Sequence, residues 1–154
     1  MSEHHPESMP QLLISYRKAN EAIAAAMEYA RDKGAKLSFV VVDAAGHLVA
    51  AGRMDGAPFI TIEVARGKAY ASVATGGQPG SALAQRFLEN PMVWGNVAGL
   101  GLGAPLLPAT GSLPIFFHGD LVGAIAASGA PSEIDEAAVL AGILAIDASP
   151  GNRP

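Results

Sequence analysis

Two apolar hairpin signatures limit what this chain can fold into more than any other feature. The first begins at Lys36 with the β-branched run Phe39-Val40-Val41-Val42 and reaches Asp43. It turns at Ala44-Ala45-Gly46 and returns as a weaker strand from His47 to Met54. The second runs from Leu113 to Phe117, turns at His118-Gly119-Asp120, and returns from Leu121 to Ser128. Strands joined by tight turns are antiparallel, because parallel neighbours need a long crossover. A parallel, doubly wound sheet is thereby excluded. The expectation is an α+β fold with a single antiparallel sheet of about five strands flanked by helices.

Helical patterns surround the hairpins. Ser8, Pro10 and Gln11 form a helix-start signature, and Leu12, Tyr16, Ala19, Ile23, Ala26, Met27 and Ala30 recur at helical spacing as far as Gly34. Asp55 reads as a cap and Pro58 as a first-turn residue for a second helix ending at Gly76-Gly77. Ser81 to Asn90 predicts a short helix, closed by Pro91. Pro91 to Gly111 reads as loop with a short strand near Val97. Ser132 and Asp135 predict a reciprocal cap for the last helix. One domain over residues 10–148 is expected, with tails at 1–9 and 149–154.

Composition narrows the function. Half of the 154 residues are hydrophobic, 16% are charged and 6% are aromatic, so the core is aliphatic and glycine-permitted. So apolar a small chain is expected to self-associate as a dimer or higher homo-oligomer. A net charge of −4 with scattered basic residues gives no nucleic-acid footprint. Apolar runs are too short to span a bilayer, and the acidic, histidine-bearing start does not read as a signal peptide. A cytoplasmic location is the default expectation. With no cysteine, thiolate catalysis and Cys-based metal sites are excluded.

Several residues carry candidate chemistry. Gly99 to Ala104 has dinucleotide-like glycines, but Pro105 and Pro108 follow where a helix would be needed, so it reads as a loop. His47 and His118 sit at the hairpin turns, where a histidine is usually just exposed; each is also a candidate haem axial ligand or metal ligand. Trp94, beside the glycine-rich loop, is either a plug on the sheet edge or a wall of an apolar ligand pocket. Arg53, Asp55, Glu63, Arg66 and Lys68 form the densest charge cluster after the first helix. The plain reading is a solvated helix face and an Asp55 cap. The sharper one is an anion pocket between Arg53 and Lys68.

The blocks VVDAAGHLVAAGRMDGA with KAYAS, and GSLPIFFHGDLVGAIAASGAPSEIDEAAVLAGI, resemble the two halves of the GlcG/HbpS-like domain, often labelled haem-degrading. The likeness covers about residues 10 to 147. It implies a profilin-like fold and assembly as dimers or larger rings. Haem binding is implied by some relatives, among them a redox-sensing extracellular member and the C-terminal domain of PduO enzymes. Others lie beside genes for small-molecule breakdown. Some haem-binding relatives use a histidine on the first helix, and here Gln11 to Lys33 contains none. Ser112 and Ala126 stand where glycine is common in the family. His47, His118, Met54 or Tyr16 would then have to serve the iron, or the ligand is something other than haem.

Three functions are consistent with these residues. The favoured one is a small-molecule-binding protein taking haem or a related ligand in an apolar pocket, with Arg53, Met54, Trp94, His47 and His118 as candidate contacts. The second is an enzyme on a small carboxylate or carbonyl compound. Arg53 would anchor the anion, Asp55 or Glu63 would act as general base, and Lys68 would assist electrostatically. The third is a structural oligomer locked by Arg53 and Asp55.

Overall fold

The computed structural model describes residues 6–151. In chain order these form α1 (Tyr16–Asp32), β1 (Ser38–Asp43), β2 (Leu48–Arg53), α2 (Ile60–Ala74), α3 (Gly80–Glu89), α4 (Pro91–Val97), β3 (Ser112–Phe117), β4 (Asp120–Ser128) and α5 (Ser132–Ala145). The two hairpins join side by side through β1 and β4, giving one antiparallel sheet of order β2-β1-β4-β3. It has four strands rather than about five.

The sheet is covered on both faces, and side-chain alternation sorts the core accordingly. Phe39 and Val41 of β1, with Ile125 and Ala127 of β4, pack against Ala19, Ala22, Ile23 and Ala26 of α1 and Ala138, Val139 and Ile143 of α5. Val40, Val42, Ala124 and Ala126 face the other way, against Ala65, Ala69 and Val73 of α2. Every residue of β1 is buried, as its unbroken apolar run predicts. The β2 edge strand is mostly exposed. Register pairs Asp43 with Gly123 at one end of the sheet, and Ser38 with both Arg53 and Ser128 at the other. Both hairpin turns therefore lie at one end, and Arg53 lies at the opposite end.

Helix starts differ from the sequence expectations in four places. Ser15, not Ser8, caps α1, its hydroxyl accepting from the Lys18 amide at 3.1 Å. The segment before it runs extended because the Ile14 amide donates to the Val122 carbonyl and the Ile14 side chain is buried. Asp55 does not cap α2, which begins at Ile60 with Phe59 in the cap position and no side-chain cap. Ser132 does not cap α5 either. The expected loop and strand around Val97 are replaced by α4, where Asn90 caps the Val93 amide and Pro91 occupies the first turn. At the other terminus, Ser149 exchanges two backbone hydrogen bonds with Phe116, so the chain is held beyond Ala148. The expected N-terminal tail falls mostly outside the described residues.

Candidate functional site

The end of β2 opens onto a groove of about 490 Å³, lined by Met27 and Arg31 of α1, Lys36 of the following loop, and Arg53, Met54 and Asp55. Met27 packs over Gly52 of β2: a Cβ there would lie 2.7 Å from the Met27 terminal methyl, so a larger residue would displace that flexible side chain. Met54 is fixed by extension of the β1–β2 ladder, its amide donating to the Leu37 carbonyl at 2.9 Å. Its sulfur accepts from the Leu37 amide at 3.5 Å, which leaves Met27 as the groove's uncommitted thioether.

Electrostatically the groove is cationic. Arg31, Lys36 and Arg53 line it against a single carboxylate, Asp55, although Arg31 also pairs with Glu28 at 2.7 Å. Arg53 and Asp55 make no ion pair or side-chain hydrogen bond among the described residues. The groove continues past Gly34, Ala35 and Lys36 into a neighbouring cleft of about 420 Å³ that adds Lys33. A third groove, of about 500 Å³ between α3 and α5, carries Glu133 and Glu136 and no cation. Of these three grooves, the one at Arg53 is lined by the most cationic residues.

The remaining candidate residues are dispersed. Lys68 is not part of the groove. It is buried between α2 and α5, donating to the Ala127 carbonyl at 3.0 Å and to Asp135 Oδ2 at 3.4 Å. The expected anion pocket between Arg53 and Lys68 is thus replaced by a groove at Arg53 and a separate buried ion pair. Asp135, read from sequence as a capping residue, also accepts from the Ala130 amide. Its carboxyl is raised above the ordinary value by burial, against the opposing pull of Lys68. Glu63 is exposed on the first turn of α2. Trp94 is half-buried on α4, packed against the cluster of Ala71, Leu83 and Leu106, and lines none of these grooves.

Both candidate histidines lie at the hairpin end, away from Arg53. His118 takes a positive φ of 51° beside Gly119 at 84°, a backbone demanded by a tight two-residue turn. His47 is exposed, its Nδ1 4.0 Å from Asp43 Oδ1. Among the described residues no three His, Cys, Asp or Glu side chains converge as a metal site would require. No helix there is long and apolar enough to cross a membrane.

Sequence reasoning found Arg53, Met54 and Asp55 but missed Met27, Arg31 and Lys36. The signal available for them was indirect: basic residues at the end of α1 and in the loop that leads into β1. Only the folded hairpin brings that loop beside Arg53.

This fold and groove define a small α+β protein with a cationic cleft at one end of a four-stranded antiparallel sheet. The chain belongs to the HbpS-like family: the family described as haem degrading protein HbpS-like matches residues 14–144. A double mutant of HbpS from Streptomyces reticuli is 28% identical, with a TM-score of 0.78 over 94% of both chains. A complex of PduOC with haem is 23% identical, with a TM-score of 0.81 over 92% of this chain and 100% of the other. A Klebsiella pneumoniae protein called ORFY is 21% identical, with a TM-score of 0.83 over 94% and 98% of the two chains. The latter two likenesses establish the shared fold. No curated protein matches the chain.

Proposed function

We propose that this protein binds haem, or a related planar ligand carrying carboxylates, in the groove at the end of β2. The carrying observation is the convergence of Arg31, Lys36 and Arg53 around two thioethers in a cleft of ligand size. The family and the haem complex of a relative support this choice of ligand. Arg53 and Lys36 would hold the propionates, Arg by a bidentate fork and Lys as a point charge. Met27 offers a thioether of the kind that ligates haem iron, and no histidine lines the groove. When bound, the haem would supply redox chemistry or itself be the molecule carried. The chain's own part is to bind its carboxylates and shield one edge from water.

Hemin titration of the purified protein tests this reading. A shifted Soret band saturating at one equivalent is expected, weakened in Arg53→Ala and Lys36→Ala and spectrally altered in Met27→Leu. It should persist in His47→Ala and His118→Ala. Equal hemin affinity in Arg53→Ala, Lys36→Ala and the parent protein would reject the groove.

One observation supports a second reading, an enzyme on a small carboxylate. Asp55 shares the groove with Arg53, and among the described residues its carboxylate makes no ion pair. Failure of every member of a small-carboxylate panel to raise the Tm would discard it. Self-association is the third element of the proposal. It is supported by the exposed Phe87, Leu88, Met92, Val93 and Leu100 on and after α3 and α4. A monomeric mass by light scattering would remove it.

A further inference from the structure

A further, smaller cavity lies at the opposite end of the sheet from Arg53, at the β1–β2 turn. It has a volume of about 260 Å³ and is lined by Gly46, His47, Leu48, Arg66, Tyr70 and Gly103. We propose that it is a binding site for phosphate or a phosphate monoester, independent of the Arg53 groove.

The turn above it is firmly built. Asp43 Oδ1 accepts from the amides of Ala45 at 2.9 Å and His47 at 3.1 Å, which fixes the backbone of the turn beside the cavity. Gly46 has a φ of 89°, and a Cβ there would lie 3.0 Å from the Tyr70 ring. Glycine thus allows the turn to close directly onto Tyr70. Arg66 and Tyr70 are four residues apart on α2 and so share a face.

Arg66 supplies the decisive chemistry. Its Nε is buried and has no hydrogen-bond partner, and among the described residues its guanidinium makes no ion pair. Glu63, one turn earlier, does not pair with it. A buried guanidinium donor without an acceptor is costly, and such groups in folded proteins are normally satisfied. No acid lines the cavity to satisfy it from within. Asp43, beside the turn, lies 4.0 Å from His47 Nδ1, and its Oδ1 already accepts from two backbone amides.

The donor set selects the class of anion. Three residues whose side chains can donate, Arg66, His47 and Tyr70, line one space. A phosphate can give each donor its own oxygen in a tetrahedral arrangement, whereas a planar carboxylate would have to share two oxygens among three donors. The volume is below the range of roughly 300–1,000 Å³ typical of drug-sized ligands, which suits a phosphoryl group with little attached.

Calorimetry and amide NMR with inorganic phosphate test the proposal on the full chain. Saturable one-site binding is expected, with shifts at the Gly46 and Gly103 amides. Arg66→Ala should weaken it by about tenfold or more, the scale of one charge-assisted hydrogen bond. Arg53→Ala should leave it unchanged, which separates this site from the groove. If Arg66→Ala does not fold, Tyr70→Phe removes only a hydroxyl and should still weaken binding several-fold. The proposal is overturned by an absence of saturable phosphate binding. It is equally overturned by acetate binding as tightly as phosphate, by dependence on Arg53, or by full affinity in Arg66→Ala or Tyr70→Phe.

Discussion

Lys68 Nζ lies 3.4 Å from Asp135 Oδ2, and both side chains are buried. The pair ties the middle of α2 to the first turn of α5 around the end of the sheet, and Lys68 also holds the Ala127 carbonyl of β4. Gly111 makes room for it, since a Cβ there would lie 2.7 Å from Lys68 Nζ. Three elements thus meet at one ammonium group.

Removing one partner should be far worse than removing both. Lys68→Met leaves a buried carboxylate uncompensated and is expected to cost about 3–5 kcal/mol. The double variant Lys68→Met/Asp135→Leu should cost clearly less than the sum of the single changes. Urea denaturation of all four proteins measures this, and strict additivity would show that the groups are not coupled.

The same pair predicts a pH dependence. Burial raises the Asp135 carboxyl above its ordinary value of 3.8, against the pull of Lys68. Between the unfolded and the raised folded value, the folded state holds the extra proton. The contribution of this group to stability is full below the unfolded value and is lost as pH rises through the folded one. Asp135→Asn carries no titrating group, so the stability of the parent relative to this variant should fall across that window. A difference that stays flat, or grows with pH, would contradict the assignment.

Contact between α1 and α5 depends on Gly142. A Cβ there would lie 2.5 Å from the Ala22 carbonyl oxygen, which is backbone and cannot rotate away. Gly142→Ala gains about 1 kcal/mol of helix propensity. Overpacking costs about 1–3 kcal/mol and should win, so the Tm is expected to fall. A rise in Tm would show that the two helices separate at little cost.

The start of α1 can be located by two serines. Ser15→Ala should cost about 1 kcal/mol, the usual loss for a helix cap. Ser8→Ala should leave stability unchanged, because Ser8 precedes the extended segment. The opposite ranking in thermal melts would restore the longer helix that the sequence suggests.

Those two serines also show where sequence reading loses its grip. Ser8-Met9-Pro10-Gln11 and Ser15 both satisfy local capping rules, and the choice between them is made by Ile14 bonding to Val122 far along the chain. Asp55 likewise fits a cap by spacing, yet α2 begins five residues later and Asp55 lines the groove at Arg53 instead. Asn90-Pro91 was a legible helix start hidden in a glycine- and proline-rich stretch.

What the sequence determined by itself was whatever depends on near neighbours. The run from Phe39 to Val42, the turns at Gly46 and Gly119, and the spacing of Ala19, Ile23 and Ala26 specify strands, turns and a helix face, because side-chain alternation and backbone freedom act over a few residues. The motif blocks specified the family. Tertiary structure alone decided which charges meet. Lys68 lies close to Arg53 in sequence but finds its partner at Asp135, while Lys36 and Arg31 join Arg53 across the end of the sheet. Electrostatic partnership depends on distance through space and on access to water, and both are set only when the two hairpins pair and the helices close over them.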